Sequence, residues 1–343
     1  MERRPSWLGR VATSEPRSRP AARTCAGLDR RRVPSDPASF GKSRKLPHLM
    51  MSILRIAAAA LLITAFGIGA AVLVVGFALS APARAVIGSP PPDLHAQTVT
   101  IPSKSGAMLR GWFIVGRPGG GAVVLMHGIR SNRLSMVRRA RLLNAAGFSV
   151  LLFDFQAHGE STGARITFGR LEAEDASSSV AFVRARLPNE RIGAIGTSLG
   201  GAAALLGTHP LPVNALVLES VYSDIAPAIT NRLRAALGSS PGCIAAPALE
   251  YLFELLLPPV LGVNANDLRP IDHVAEVDAP ILIASGTSDD RTTMAETTAM
   301  FDRAKNPKLF WGVAGAGHVD LEAFAPDEYH SRVLPFLVEN LQQ

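Results

Sequence analysis

The sequence predicts an α/β fold, a mostly parallel central sheet with helices on both faces and a helical cap inserted late in the chain. Three observations carry this: short, almost continuously apolar runs, helical patterns that separate most of them, and glycine-containing turns where several of the runs end. Apolar runs without polar alternation belong to strands covered on both faces, which is how parallel sheets are built.

In chain order, residues 1–55 come first, a leader rich in Arg, Pro and Ser with 13 Lys and Arg against 4 Asp and Glu. Its surplus of nine exceeds the formal charge of +7 for the whole chain, so the remainder is near −2. The basic character therefore sits in the leader and gives no reason to expect nucleic-acid binding by the rest. Without apolar periodicity the leader is expected to be disordered. Met50 and Met51 offer an alternative start that would leave residues 1–49 untranslated.

Residues 56–81 carry no charge and exceed the roughly 20 residues that cross a bilayer as a helix. Ala83-Arg84-Ala85 offers the Ala-x-Ala pattern of a signal-peptide cleavage site, but the apolar part of a signal peptide runs only about 7–15 residues. An uncleaved membrane anchor is expected. Arg55 and the basic leader keep the N-terminal side in the cytoplasm, which places the folded part in the periplasm of a bacterial inner membrane. A periplasmic form released near Ala85 is the alternative. Residues 82–96 are expected to be a linker.

Over residues 97–343 strands are predicted at 98–101, 109–115, 122–126, 150–155, 192–195, 215–218, 281–284 and 309–313. Helical patterns cover 134–146, 171–186 and 328–341. The stretch of about 221–279 is longer than a crossover needs and contains helical patterns at 225–237 and 248–257. It is expected to form a cap, whose apolar residues either line a ligand pocket or simply pack on the main domain.

The most informative stretch is Gly196-Thr197-Ser198-Leu199-Gly200, placed where an apolar strand gives way to a small-residue helix. A serine on so sharp a turn is exposed and strained, and flanking glycines let strand and helix approach. The alternative reading is a small residue in a tight turn. A serine nucleophile needs a histidine to take its proton and a carboxylate to orient that histidine. Asp289 lies on the loop after the strand at 281–284, with Asp290 beside it and Glu219 after an earlier strand as rival acids. Among the histidines only His318 combines a glycine-rich loop, Gly315-Ala316-Gly317, with a place after the last strand. Ser198, Asp289 and His318 would then share the carboxyl edge of the sheet, where open α/β folds place ligands.

Taken with Leu125-Met126-His127-Gly128-Ile129, Asp154-Phe155-Gln156-Ala157-His158-Gly159-Glu160-Ser161, Gly286-Thr287-Ser288-Asp289 and Gly315-Ala316-Gly317-His318, these motifs resemble the α/β-hydrolase superfamily, in particular its serine-aminopeptidase-like and monoacylglycerol-lipase-like branch. The resemblance runs from about Gln97 to the C-terminus. It implies an α/β-hydrolase fold, Asp289 as the acid, and an oxyanion hole from the backbone N–H groups of Leu199 and Ile129. His158 is expected in a structural loop and His127 in the oxyanion motif.

The expected function is that of a membrane-anchored serine hydrolase that cleaves an ester or related acyl bond of a small-molecule or lipid-like substrate through an acyl-enzyme. A peptidase or aminopeptidase of the same fold is one alternative, and a catalytically silent binding protein that kept the fold is another. Cys25 and Cys243 would face opposite compartments, and neither has zinc-ligand spacing. With no dinucleotide fingerprint or phosphate loop, no cofactor and no metal are expected.

Overall fold

A computed structural model describes residues 48–238, 251–252, 254–255, 258–259 and 262–343. The chain divides into a unit over residues 1–56, of which 48–56 are described as helix, and a unit over residues 57–343. Cys25, Cys243, most of the leader and most of the pattern at 248–257 lie outside the described residues.

Among the described residues ten strands follow in order: β1 (Ala83–Arg84), β2 (Gln97–Pro102), β3 (Met108–Ile114), β4 (Ala122–Met126), β5 (Ser149–Phe153), β6 (His158–Gly159), β7 (Ile192–Thr197), β8 (Ala215–Glu219), β9 (Ile281–Gly286) and β10 (Lys308–Val313). The main sheet has the order β10-β9-β8-β7-β4-β5-β3-β2. β3 runs antiparallel to β2 and β5, and every other neighbouring pair is parallel. Among the described residues the helices are α1 (His48–Ser80), α2 (Val137–Ala145), α3 (Arg170–Arg186), α4 (Leu199–Leu205), α5 (Ile225–Leu237), α6 (Met294–Arg303), α7 (Leu321–Phe324) and α8 (Pro326–Leu341), with a further single turn at Pro270–His273.

Period-two alternation within fully buried strands divides the core between the two faces of the sheet. Val124 and Met126 of β4 join α3 and α4 through Ala176, Val180 and Ala202. Val123 and Leu125 join α2 and α8 through Ala140, Val333 and Leu337. With both faces covered, the strands read as apolar runs. Sheet order reverses direction at β4, which is flanked by β5 and β7, and such a point opens a crevice at the carboxyl ends.

α1 is long and apolar enough to cross a membrane. It starts at His48, earlier than the uncharged run alone predicts, because Arg55 and its neighbours are good helix formers. Residues 82–96, expected as a linker, are instead laid onto the folded unit. β1 pairs with β6, Arg84 donates to the carbonyls of Ser161 and Gly163, Glu160 accepts from the N–H groups of Ile87 and Gly88, and Leu94 is buried in the core. Two-residue strands such as Ala-Arg and His-Gly carry no periodicity to reveal this.

Candidate active site

β7 delivers Ser198 to the start of α4 in a conformation few residues adopt, φ 50° and ψ −109°. Such a left-handed residue costs on the order of 1–3 kcal/mol and persists only where its surroundings enforce it. Here the Ser198 N–H donates to Glu219 O at 2.8 Å, and the Ser198 carbonyl accepts from Ala202. The turn also requires glycine on both sides. A Cβ on Gly196 would meet the Gly201 nitrogen at 2.5 Å, and one on Gly200 would meet the Met126 carbonyl oxygen at 2.3 Å. Ser198 is 6% exposed, and among the described residues its hydroxyl has no hydrogen-bond partner.

The loop after β9 carries Asp289. Its Oδ1 accepts from the N–H groups of Arg291 and Thr292, and its Oδ2 from the Thr292 hydroxyl at 2.7 Å. The loop after β10 brings His318 Nδ1 to 2.8 Å from the same Oδ2. Burial opposes the charge of Asp289, but the hydrogen bonds from His318 and Thr292 outweigh it and hold the carboxyl down to about 2. An ionised acceptor at that distance fixes a proton on Nδ1 and leaves Nε2 as the basic nitrogen. His318 and Ser198 line one cavity of about 330 Å³.

The rival acids are placed elsewhere. Asp290 is exposed. Glu219 is wholly buried and accepts from Arg139 Nη2 at 2.7 Å, the Tyr329 hydroxyl at 2.6 Å and the Thr197 hydroxyl at 3.1 Å. Nor is Asp289 a helix cap, since α6 is capped by Thr293, whose side chain accepts from Glu296 N–H.

Leu199 opens α4, so its N–H has no carbonyl one turn back to bond. Ile129 follows β4, and both residues border a second, apolar cavity of about 120 Å³ that also contains Ser198. Two buried histidines hold the Ile129 loop. His158 Nε2 accepts from Arg130 N–H at 3.0 Å, and His127 Nε2 accepts from Phe155 N–H at 3.1 Å. Each Nδ1 then donates to a carbonyl, of Gln156 and Gly128 respectively. Burial, then the neighbouring His158, pushes His127 down to about 3, and burial lowers His158 as well. Both are neutral struts at ordinary pH.

The Thr292 contacts and the ion network of Arg139 were not anticipated from sequence. The first had a signal, a hydroxyl residue three positions after a loop aspartate. The second had none, because its members lie 80 and 190 positions apart. Among the described residues no cluster of His, Cys, Asp or Glu is arranged to hold a metal.

Residues 118–248 match the family model of serine aminopeptidase S33. An esterase of Pyrococcus furiosus, Pf2001, is similar at 27% identity and a TM-score of 0.61, over 77% of this chain and 98% of that one. The uncharacterized protein YqkD of Bacillus subtilis is 23% identical over 71% of this chain and 80% of its own length. The α/β hydrolase domain-containing protein WAV2 of Arabidopsis thaliana is 26% identical over 71% and 79%. The sheet order, the strained strand-to-helix turn and these likenesses together show that the chain has the α/β-hydrolase fold.

Proposed function

We propose that this protein is a membrane-anchored serine hydrolase that cleaves esters through an acyl-enzyme. The observation that carries the reading is the 2.8 Å contact of His318 with Asp289 in the same cavity as a strained, unpartnered Ser198. Ser198 Oγ attacks the ester carbonyl carbon while His318 Nε2 takes its proton. The Leu199 and Ile129 N–H groups stabilise the oxyanion, aided by the positive N-terminal end of α4. Collapse breaks the bond to the alcohol, which leaves with the proton from His318. Water, deprotonated by His318, then attacks the acyl-enzyme and restores Ser198. Free apo-state hydroxyls in such sites are common, as the nucleophile–base hydrogen bond tightens when substrate binds.

An ester fits the surroundings better than a peptide with a free amine. An aminopeptidase needs an acid to receive that amine. Asp320 borders the cavity, but it is paired with Arg139 at 2.8 Å. The likeness to the esterase Pf2001 supports the same reading. As anchor, α1 supplies the span, and the basic leader favours a folded domain on the far side of the membrane from the N-terminus, the periplasm in a Gram-negative cell.

The test is fluorophosphonate labelling of the full chain together with hydrolysis of ester and aminoacyl amide panels. Labelling at Ser198 and cleavage of esters are expected. Undiminished labelling of Ser198→Ala, or cleavage of aminoacyl amides alone, would reject the assignment.

A further inference from the structure

Three cavities of the unit over residues 57–343 share Arg232, and two of them also share Ser198. The apolar cavity at Ser198 is walled by Leu79 of α1 and by Ile225, Ala228 and Ile229 of α5. A groove of about 460 Å³ continues from it between the two helices, bordered by Ile68, Ala71, Val72 and Val75. The two spaces share Leu79, Ile229 and Arg232. At 1.5 Å per residue the groove follows α1 for about 16 Å from Ile68 to Leu79. Its α1 wall belongs to the same uncharged run that is long enough to span a bilayer, so with α1 in a membrane the groove starts where hydrocarbon is the solvent.

The opposite side of Ser198 has different chemistry. The cavity shared with His318 is polar and includes Arg232, Arg291, Ser131 and Ser135. Arg139 also borders it, but its charge is met by Glu219 and Asp320. Among the described residues neither Arg232 nor Arg291 forms an ion pair. Asp289 and Glu296 are near Arg232 but are committed to other partners, Asp289 to His318 and Thr292, and Glu296 to Thr293 and Asn231. Two cations thus face a space beside the nucleophile, where an anionic group is favoured.

Resting on the serine-hydrolase reading, we infer that the substrate is a bilayer-resident acyl ester with an anionic head group. Its chain lies in the α1–α5 groove, its carbonyl reaches Ser198, and its head group meets Arg232 and Arg291. The membrane helix is then one wall of the substrate channel as well as an anchor. A charged head beside an apolar chain suits this division, since each part leaves its own solvent for a like environment.

The experiment uses full-length Ser198→Ala protein in phosphatidylcholine nanodiscs containing palmitoyl glycerophosphate with a diazirine on the acyl chain close to its carbonyl, so that it lies in the cavity lined by Tyr222, Ala228 and Ile229. After photolysis, adducts are expected on Ala228, Ile229 and Tyr222, and Val75→Trp or Ala71→Trp, which plug the groove, should remove them. Unlabelled palmitoyl glycerophosphate should compete better than palmitoylglycerol, with the difference lost in Arg232→Gln/Arg291→Gln. Adducts confined to Leu62 and Phe66, or unchanged by both plugs, would overturn the groove, and equal competition by the neutral lipid would overturn the head-group assignment. In protein with Ser198 intact, Val75→Trp should lower the ratio of kcat/KM for palmitoyl over butyryl esters about tenfold, while Leu62→Trp leaves that ratio at its original value. Failure of the nucleophile reading would show separately, as hydrolysis that survives Ser198→Ala while the adduct map stands.

Discussion

Asp320, two residues beyond His318, accepts from the buried guanidinium of Arg139 at 2.8 Å. The same nitrogen reaches Glu219 at 2.7 Å, to which Tyr329 also donates. Burial works against the charge of Arg139, but Glu219, then Tyr329 and Asp320, hold its protonation well above the ordinary value. One cation thus ties α2, the end of β8, α8 and the histidine loop together. Removing one member of a buried pair leaves an uncompensated charge, which costs about 3–5 kcal/mol. Arg139→Met should lose stability of that order in denaturant unfolding, and adding Glu219→Met should restore part of it. A double variant no more stable than Arg139→Met would show that the network is not what stabilises this corner.

Asp289→Asn tests the acid. An amide at the 2.8 Å contact with His318 can stabilise the wrong tautomer and cannot stabilise imidazolium, and such losses reach about 10⁴-fold in kcat. KM should change little. Asp290→Asn, at an exposed side chain, should stay within about twofold of the original activity, as expected of a surface change. If Glu219→Gln abolished turnover in folded protein while Asp289→Asn spared it, the acid would be Glu219.

The struts behind Ile129 predict a kinetic split. His158 holds Arg130 N–H, next to the proposed oxyanion donor, so His158→Phe should release the loop. Loss of one such donor costs about 10²–10³ in kcat, and partial displacement should cost less, on the order of tenfold, with KM nearly unchanged. Equal losses in kcat for acylation and in simple inhibitor binding would instead indicate general disruption of the pocket.

Two carboxyls give stability opposite slopes with pH. Asp289 falls from 3.8 to about 2 on folding, so its contribution is present above about 4 and is lost as pH drops towards 2, about 2 kcal/mol in all. Asp175 is raised from 3.8 to about 7, chiefly by burial and against hydrogen bonds from Ser103 and Ser105. It retains a proton that the unfolded chain releases, so stability declines as pH rises across that interval. Unfolding measured at stepped pH should show the first slope flattened in Asp289→Asn and the second in Asp175→Asn.

The sequence made legible whatever depended on local pattern. The apolar runs at 122–126 and 215–218 are strands within one residue of the expected bounds, and the loops carrying Asp289 and His318 meet. What escaped depended on distant partners or on main-chain contacts. Arg139 looks like any helix arginine until Glu219 and Asp320 surround it. Residues 82–96 have the composition of a linker, yet main-chain pairing of β1 with β6 and the Glu160 carboxylate hold them. The groove along α1 was equally hidden, because an apolar span gives no sign of which face a neighbouring helix will meet.

Membrane attachment can be tested against release. The Ala-x-Ala pattern is not displayed as an open cleavage site, since Ala83 N–H donates to Ala157 O at 2.7 Å and Ala85 N–H to Gly159 O at 3.1 Å. Cutting there would also detach Leu79, a wall of the cavity at Ser198, and Ser80, whose carbonyl accepts from Ile166 N–H. Expressed in a Gram-negative host, the protein should therefore stay with the inner membrane after carbonate extraction. Positive flanks remain in the cytoplasm, so alkaline phosphatase fused after Gln343 should be active, and protease added to spheroplasts should digest the domain. A soluble periplasmic form beginning near Val86 would show that the segment is a cleaved signal, and a domain protected in spheroplasts would reverse the orientation.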